Sequence, residues 1–520
     1  MQQNLSATPL AAAWNRIGFR QHHGIVLPLF SIRTQNSGGI GEYLDLLPLI
    51  DWCAEVGFEI IQLLPLNDTG HETSPYSSLT AHALNSVHLS LHELPGLPSH
   101  PDLKEILRNL STYNETPKVD YETVRELKEI FLEKYFFVER KNLLQEAALK
   151  SFREKNPWLH SYALFKTLKK KYHWQPASSW PKIDLDDLRD NENVENEILI
   201  QFLCFQQMKH IKEYASHKKV LIKGDIPILI NTDSCDVWAH PDLFNLDLRA
   251  GAPPDYYSHD GQNWDCPLYR IEEKREEVFA WWSERLQTAS PLYDLYRLDH
   301  IVGFYRIWGV PPGKLGKEGK YVPADPSTWR SNGEEILRAI MIKTPMLPIG
   351  EDLGTVPPIV RESMKSLGIC GTKVMRWERN WEGDKSYIEL ADYEPLSMTT
   401  LSTHDSESLA EWWKKIPEES KLFAEMLRIP WEPSLGHENR QAVLKASHAT
   451  SSLFHINPLQ EYLALVPELA WSSPEEDRIN IPGLVLQDNW RFRFRCSLEE
   501  MISSSGLKEE IKYAIGERPR

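Results

Sequence analysis

Four short stretches of this sequence end in acids that could do chemistry: Lys223-Gly-Asp225, Arg297-Leu-Asp299-His300, Gly350-Glu351-Asp352 and Thr403-His404-Asp405. Each follows a short apolar or β-branched run, so each acid falls where a strand would give way to a loop. Two carboxyl groups, one ionised and one protonated, are the minimum set for cutting a glycosidic bond. Period-two alternation puts Arg297 and Asp299 on one face of an extended strand, with Tyr296, Leu298 and His300 on the other. A guanidinium beside Asp299 favours the charged form that a nucleophile requires. Glu351 stands at a strand end that breaks into Asp352-Leu-Gly354, near the other acids. Partial desolvation there should raise its pKa and fit it to donate a proton. A separation of about 5–5.5 Å between the two groups would make the second one a nucleophile and retain the anomer.

The elements that must position these acids are legible as apolar runs. Strands are expected at Ile25–Ser31, Glu59–Pro65, Val220–Pro227, Leu292–Asp299, Met346–Glu351, Thr372–Trp377 and Met398–His404. Helix-like stretches separate most of them, which argues for buried parallel strands in an α/β architecture. Seven strands are one short of a (β/α)8 barrel, and the eighth is expected near Leu484–Gln487 or Leu463–Val466. In such a barrel the C-terminal strand ends converge on one pocket. Residues 95–215 are rich in Lys, Glu and Leu with apolar residues at helical spacing. They read as a helical subdomain inserted after the second strand, dividing the chain into 1–94, 95–215 and 216–520.

Composition narrows the function classes. The 520 residues are 41% hydrophobic and 25% charged, with a formal charge of -16. That balance argues against a nucleic-acid surface and against docking on an anionic membrane. Six scattered cysteines show no CxxC spacing, so a zinc ribbon or redox pair is not expected. The first fifteen residues lack Lys and Arg, and no apolar run is long enough to span a bilayer. A cytosolic location is expected. Of the 18 tryptophans, Trp238, Trp264 and Trp381 lie in loop-like sequence, where an indole either packs the core or covers the apolar face of a sugar ring.

With these residues in view, the chain resembles the amylomaltase or disproportionating-enzyme family, glycoside hydrolase family 77. The resemblance rests on the joint order of Gly24-Ile-Val-Leu-Pro-Leu-Phe-Ser-Ile-Arg33, Ile61-Gln-Leu-Leu-Pro-Leu66, Ser74-Pro-Tyr-Ser77, Gly224-Asp-Ile-Pro-Ile228 and Asp236-Val-Trp-Ala239. It continues through Pro253-Pro-Asp-Tyr-Tyr-Ser258, Gly261-Gln-Asn-Trp264, the three acid-bearing strands, and Arg478-Ile-Asn-Ile-Pro-Gly483 with Asn489-Trp490. The resemblance implies a (β/α)8 barrel that transfers α-1,4-glucan segments to glucose or another maltooligosaccharide without a metal or organic cofactor. Carried over, it implies Asp299 as nucleophile, Glu351 as general acid/base and Asp405 as the third acid. Arg297, His300, His404, Tyr76, Asp225, Asp255, Tyr256, Gln262, Trp264 and Asn480 are the implied substrate and site contacts. The loop from Asp255 to Trp264 is the candidate acceptor site. Four stretches beside the site depart from the family's usual residues: Ile301-Val-Gly303, Asp265-Cys266, Trp377-Glu-Arg379 and Ser406-Glu-Ser408. They bear on acceptor preference rather than on the acids. Competing readings are an α-glucan hydrolase using the same acids and a glucan-binding protein that no longer turns over. Products longer than the donor would separate transfer from both.

Overall fold

The computed structural model describes residues 5–182, 191–254 and 259–516. Eight parallel strands form the central sheet: β1 (His22–Leu27), β2 (Ile60–Leu63), β3 (Leu221–Ile226), β6 (Leu295–Leu298), β9 (Leu347–Gly350), β10 (Gly371–Val374), β11 (Ser397–Thr400) and β12 (Phe454–Pro458). Their order is β10-β11-β12-β1-β2-β3-β6-β9. A parallel bridge between Ile349 and Cys370, with Gly350 N donating to Cys370 O at 2.8 Å, joins the outermost pair. The sheet thereby comes round into the expected barrel. Its strands are buried on both faces, which is why they read as short apolar runs.

Seven expected strands are present, most of them shorter than the sequence runs. The eighth is a correction. It is Phe454–Pro458, and neither expected location forms a strand. Leu463 closes a short helix, Leu459–Leu463, while Leu484, Val485 and Leu486 lie exposed on a loop. The sequence Phe-His-Ile-Asn-Pro hides a strand because His455 and Asn457 occupy one face and Pro458 ends it. A second sheet was also unforeseen. Strands β4 (Phe244–Ala252), β5 (Gln262–Tyr269), β7 (Ile307–Val310) and β8 (Lys320–Val322) pair antiparallel in the order β5-β4-β7-β8. They fill the connections after β3 and β6, beside the mouth of the barrel.

Between β2 and β3 run helices Leu103–Thr112, Tyr121–Leu143, Ala147–Lys155, Trp158–Lys171 and Glu192–Lys218. Asp120 caps the second of these by accepting from Thr123 N at 3.1 Å. Its buried stripe, including Val124, Phe131 and Tyr135, belongs to the same hydrophobic cluster as the barrel. These helices grip the loop that leaves β2. Gln201 accepts from Leu84 N and donates to Leu84 O, both at 2.8 Å. Gln207 does the same to Ser90 at 2.9 Å. Farther out on that loop, Asp68 pairs with Lys166 and accepts from Tyr162 Oη at 2.6 Å. These hydrogen bonds and this ion pair tie the loop carrying Tyr76 to the helices beside the barrel.

Candidate active site

Arg297 is the hub. It sits on β6, and its Nη1 donates to both oxygens of Asp225 at 3.0 and 2.9 Å. Its Nη2 lies 2.7 Å from Asp299 Oδ1 and 3.9 Å from Glu351 Oε2. Tyr76 Oη donates to Asp225 Oδ2 at 2.8 Å and accepts from Arg297 Nη1 at 3.4 Å. The register sets this up, because Asp225 is the Cα partner of Arg297 across β3 and β6. The two oxygens that share Nη2 can be no farther apart than the sum of their distances to it, about 6.6 Å. That ceiling on one pair of oxygens is compatible with the retaining separation of about 5–5.5 Å between carboxyl groups.

Glu351 follows β9 and is fixed by two backbone donors, His300 N at 2.9 Å and Leu353 N at 2.8 Å. Burial pushes its carboxyl up to about 7, with nearby Asp299 adding to the effect and Arg297 only partly offsetting it. His300 adopts a left-handed backbone, φ 48°, which ends the alternation expected along β6. That turn aims its N–H at Glu351 and sets its ring edge-on to Trp264, 5.0 Å between centroids. Burial lowers the His300 imidazole to about 4, so it is neutral at pH 7. Trp264 stands on β5 and donates to Gln262 Oε1 at 2.9 Å.

The opposite flank is built on the loop after β11. His404 Nε2 lies 3.3 Å from Asp405 Oδ2, and Asn480 Nδ2 donates to Asp405 Oδ1 at 2.6 Å. Burial alone would raise Asp405, but the His404 charge and these hydrogen bonds win and hold it at about 2. Burial likewise opposes the imidazolium of His404, and Asp405 more than compensates, raising it above the usual value. The His404 ring stacks on Tyr76 at 5.2 Å and 20°, and Trp490 closes the trio at 5.6 Å from Tyr76 and 5.7 Å from His404.

Tyr76, Asp225, Arg297, Asp299, His300, Glu351, His404, Asp405 and Asn480 therefore lie in one connected network, with Gln262 and Trp264 joined to it through His300. Asp255 and Tyr256 fall outside the described residues. Sequence reasoning gave Trp490, Asn489 and Arg478 no task, although all three stand in the C-terminal signature. Asn489 closes its loop by accepting from Ile481 N at 3.2 Å and donating to Leu484 O at 2.8 Å. Arg478 donates to the carbonyls of Asn480 (2.9 Å) and Asp405 (3.4 Å) and lies 3.8 Å from Glu407. Glu407 belongs to the departing Ser406-Glu-Ser408, so that departure braces the Asp405 turn. Of the three loop-like tryptophans, Trp238 packs against Phe165 and Trp180, and Trp381 is exposed.

A parallel barrel with carboxyl groups gathered at its C-terminal mouth, one of them pushed up to about 7 by burial, fits an enzyme of the glycoside-bond class. A sequence model described as 4-alpha-glucanotransferase matches residues 27–499. The 4-alpha-glucanotransferases of Chlamydia muridarum and Chlamydia pneumoniae are 44% and 45% identical over 96% and 95% of this chain, with the same shares of their own lengths. The amylomaltase of Streptococcus agalactiae, solved in complex with acarbose, superposes with a TM-score of 0.81 at 26% identity, covering 96% of this chain and 99% of that one. The chain belongs to the 4-α-glucanotransferase family, glycoside hydrolase family 77.

Proposed function

We propose that this enzyme transfers α-1,4-glucan segments from a maltooligosaccharide or starch-derived donor to the 4-hydroxyl of glucose or another glucan, by double displacement with retention. The observation that carries the catalytic assignment is the sharing of Arg297 by Asp299 and Glu351, with Glu351 pushed up to about 7. Asp299 attacks the anomeric carbon from one side. Glu351 gives its proton to the departing glycosidic oxygen, leaving a β-linked glycosyl ester on Asp299. The now ionised Glu351 takes the proton of an incoming 4-hydroxyl, whose oxygen displaces Asp299. Asp405, ionised and steered by His404 and Asn480, holds sugar hydroxyls and stabilises the positive charge that develops on the ring.

Transfer and hydrolysis part only at the second step, where an oriented hydroxyl must outcompete water. Trp264 beside His300 offers an apolar wall for that acceptor, and the aromatic trio of Tyr76, His404 and Trp490 offers another for the donor. The acarbose complex of the streptococcal amylomaltase supports an oligosaccharide-binding mouth. Among the described residues no helix is long and apolar enough to cross a membrane. A cytoplasmic site of action is part of the same reading. Incubation with maltotriose tests the whole. Glucose together with a ladder of longer maltooligosaccharides is expected, and Asp299→Asn should abolish both. Glucose and maltose with nothing longer than the trisaccharide would mean hydrolysis instead.

A further inference from the structure

The opposite end of the barrel carries a second cluster of titratable side chains that the glucan chemistry does not use. His23 on β1 and His455 on β12 are Cα partners across adjacent parallel strands, so their side chains leave the sheet on the same face. His448, the last residue of helix His437–His448, meets them there. One nitrogen from each ring lies within 4.8 Å of the other two, and His23 Nδ1 is 2.9 Å from His448 Nδ1. His448 and His455 are buried, while His23 is partly open.

The remaining nitrogens of the two buried rings are anchored. His448 Nε2 lies 2.7 Å from Tyr462 Oη, which also accepts from Asn457 Nδ2 at 3.0 Å. His455 Nε2 lies 3.2 Å from the Thr450 carbonyl and 3.0 Å from Thr450 Oγ1. Its Nδ1 is buried without a well-formed hydrogen bond, although the His22 backbone lies close by. Anchoring one imidazole nitrogen on a fixed oxygen, with the other left as a lone pair, is how proteins present histidine to a metal. Burial lowers all three imidazoles, His23 to about 4 and His455 to about 3, so each ring is neutral at neutral pH, and the proton shared between His23 Nδ1 and His448 Nδ1 must pass to an Nε2 before both can ligate. Glu59, 2.9 Å from His22 Nδ1, supplies a nearby negative charge, and Arg20, 2.7 Å from Glu59, partly balances it.

We propose that His23, His448 and His455 form a binding site for a zinc-type divalent metal at the N-terminal end of the barrel. Three neutral imidazoles and a solvent position reached past His23 make a ligand set that suits zinc. The His23 and His455 rings stack at 25°, and lone pairs lie in the ring planes, so His455 must turn about its Cβ–Cγ bond, giving up part of its hold on Thr450, to converge with the others. The bound ion would tie β1, β12 and the helix between β11 and β12 together, joining strands from the two ends of the chain. In a barrel this end serves stability rather than catalysis.

The test uses the full chain, freed of metal by chelator and dialysis, then titrated with zinc sulfate by calorimetry and by equilibrium dialysis with elemental analysis. One equivalent is expected to bind, raising the melting temperature of the protein while leaving maltotriose disproportionation unchanged. His455→Ala and His23→Gln should each weaken zinc at least about a hundredfold and remove the melting shift. His23 is partly exposed, so its glutamine variant keeps the test decisive even if the buried His455 variant does not fold. Failure of the wild-type protein to take up zinc would overturn the proposal, and so would undiminished binding by His23→Gln.

Discussion

The two ends of one barrel answer burial in opposite ways. At the C-terminal mouth, Asp225, Asp299 and Glu351 crowd a single guanidinium, and Asp405 is held by His404 and Asn480. At the N-terminal end, three histidines meet with no carboxylate among them, and burial leaves them neutral. Desolvation disfavours every charged form at both ends. The difference is the partner. Burial raises Asp225 and Glu351, with Arg297 only partly offsetting it, whereas His404 and Asn480 hold Asp405 low. Burial that nearby cations only partly offset is thus what fits Glu351 to hold a proton at the mouth.

The largest effect at the mouth is expected from Asp299. Its replacement by Asn should lower kcat by about 10⁴-fold or more, because no other group can form the glycosyl ester. Steady-state rates on maltotriose measure this. Glu351→Gln should cost about 10²–10⁴-fold and should cost less with donors carrying a good leaving group, which need no proton. The same variant sharpens the burial argument. A carboxyl raised to about 7 in the folded protein binds more protons than its unfolded counterpart between the ordinary glutamate value and 7, so stability falls as pH rises through that window. Glu351→Gln should thus be more stable than the wild type at pH 8, by about 1–3 kcal/mol, and lose that advantage near pH 4.5. Urea unfolding at the two pH values checks the sign. The basic limb of the kcat/KM profile should fall near pH 7, where free Glu351 gives up its proton. Trp490→Ala should lower kcat/KM by about three- to tenfold through loss of the stack on His404 and Tyr76, with kcat less affected.

Much of this was legible in the sequence, for a physical reason. Strands buried on both faces must be apolar, so β2, β3, β6 and β9 stood out, and the polar residues after them marked the mouth. The pairing of Arg297 with Asp299 followed from alternation alone. What escaped were elements whose burial depends on partners far along the chain. Strand β12 was hidden by His455 and Asn457, which face the helices rather than water. The start of strand β5 read as loop because it is half-exposed and the strand is interrupted by Pro267, and the half-exposed β4 went unrecognised. The sharing of Arg297 by Asp225 and Glu351 needed the register of three strands, and the left-handed turn at His300 broke the face assignment. The histidine cluster joins positions 23, 448 and 455, and only the β1–β12 register brings them together.

In the proposed reaction Asp299 carries the glycosyl group while Glu351 moves the proton. The most direct test is to incubate the Glu351→Gln variant with an α-glucosyl fluoride, which needs no acid to leave, and to map the adduct by peptide mass spectrometry. A single hexosyl ester on the peptide containing Asp299, persisting with glucose but discharged by azide, which needs no general base, is the predicted result. A stable ester on Asp225 or Asp405, or turnover of the fluoride by Asp299→Asn at the rate of the parent enzyme, would contradict it.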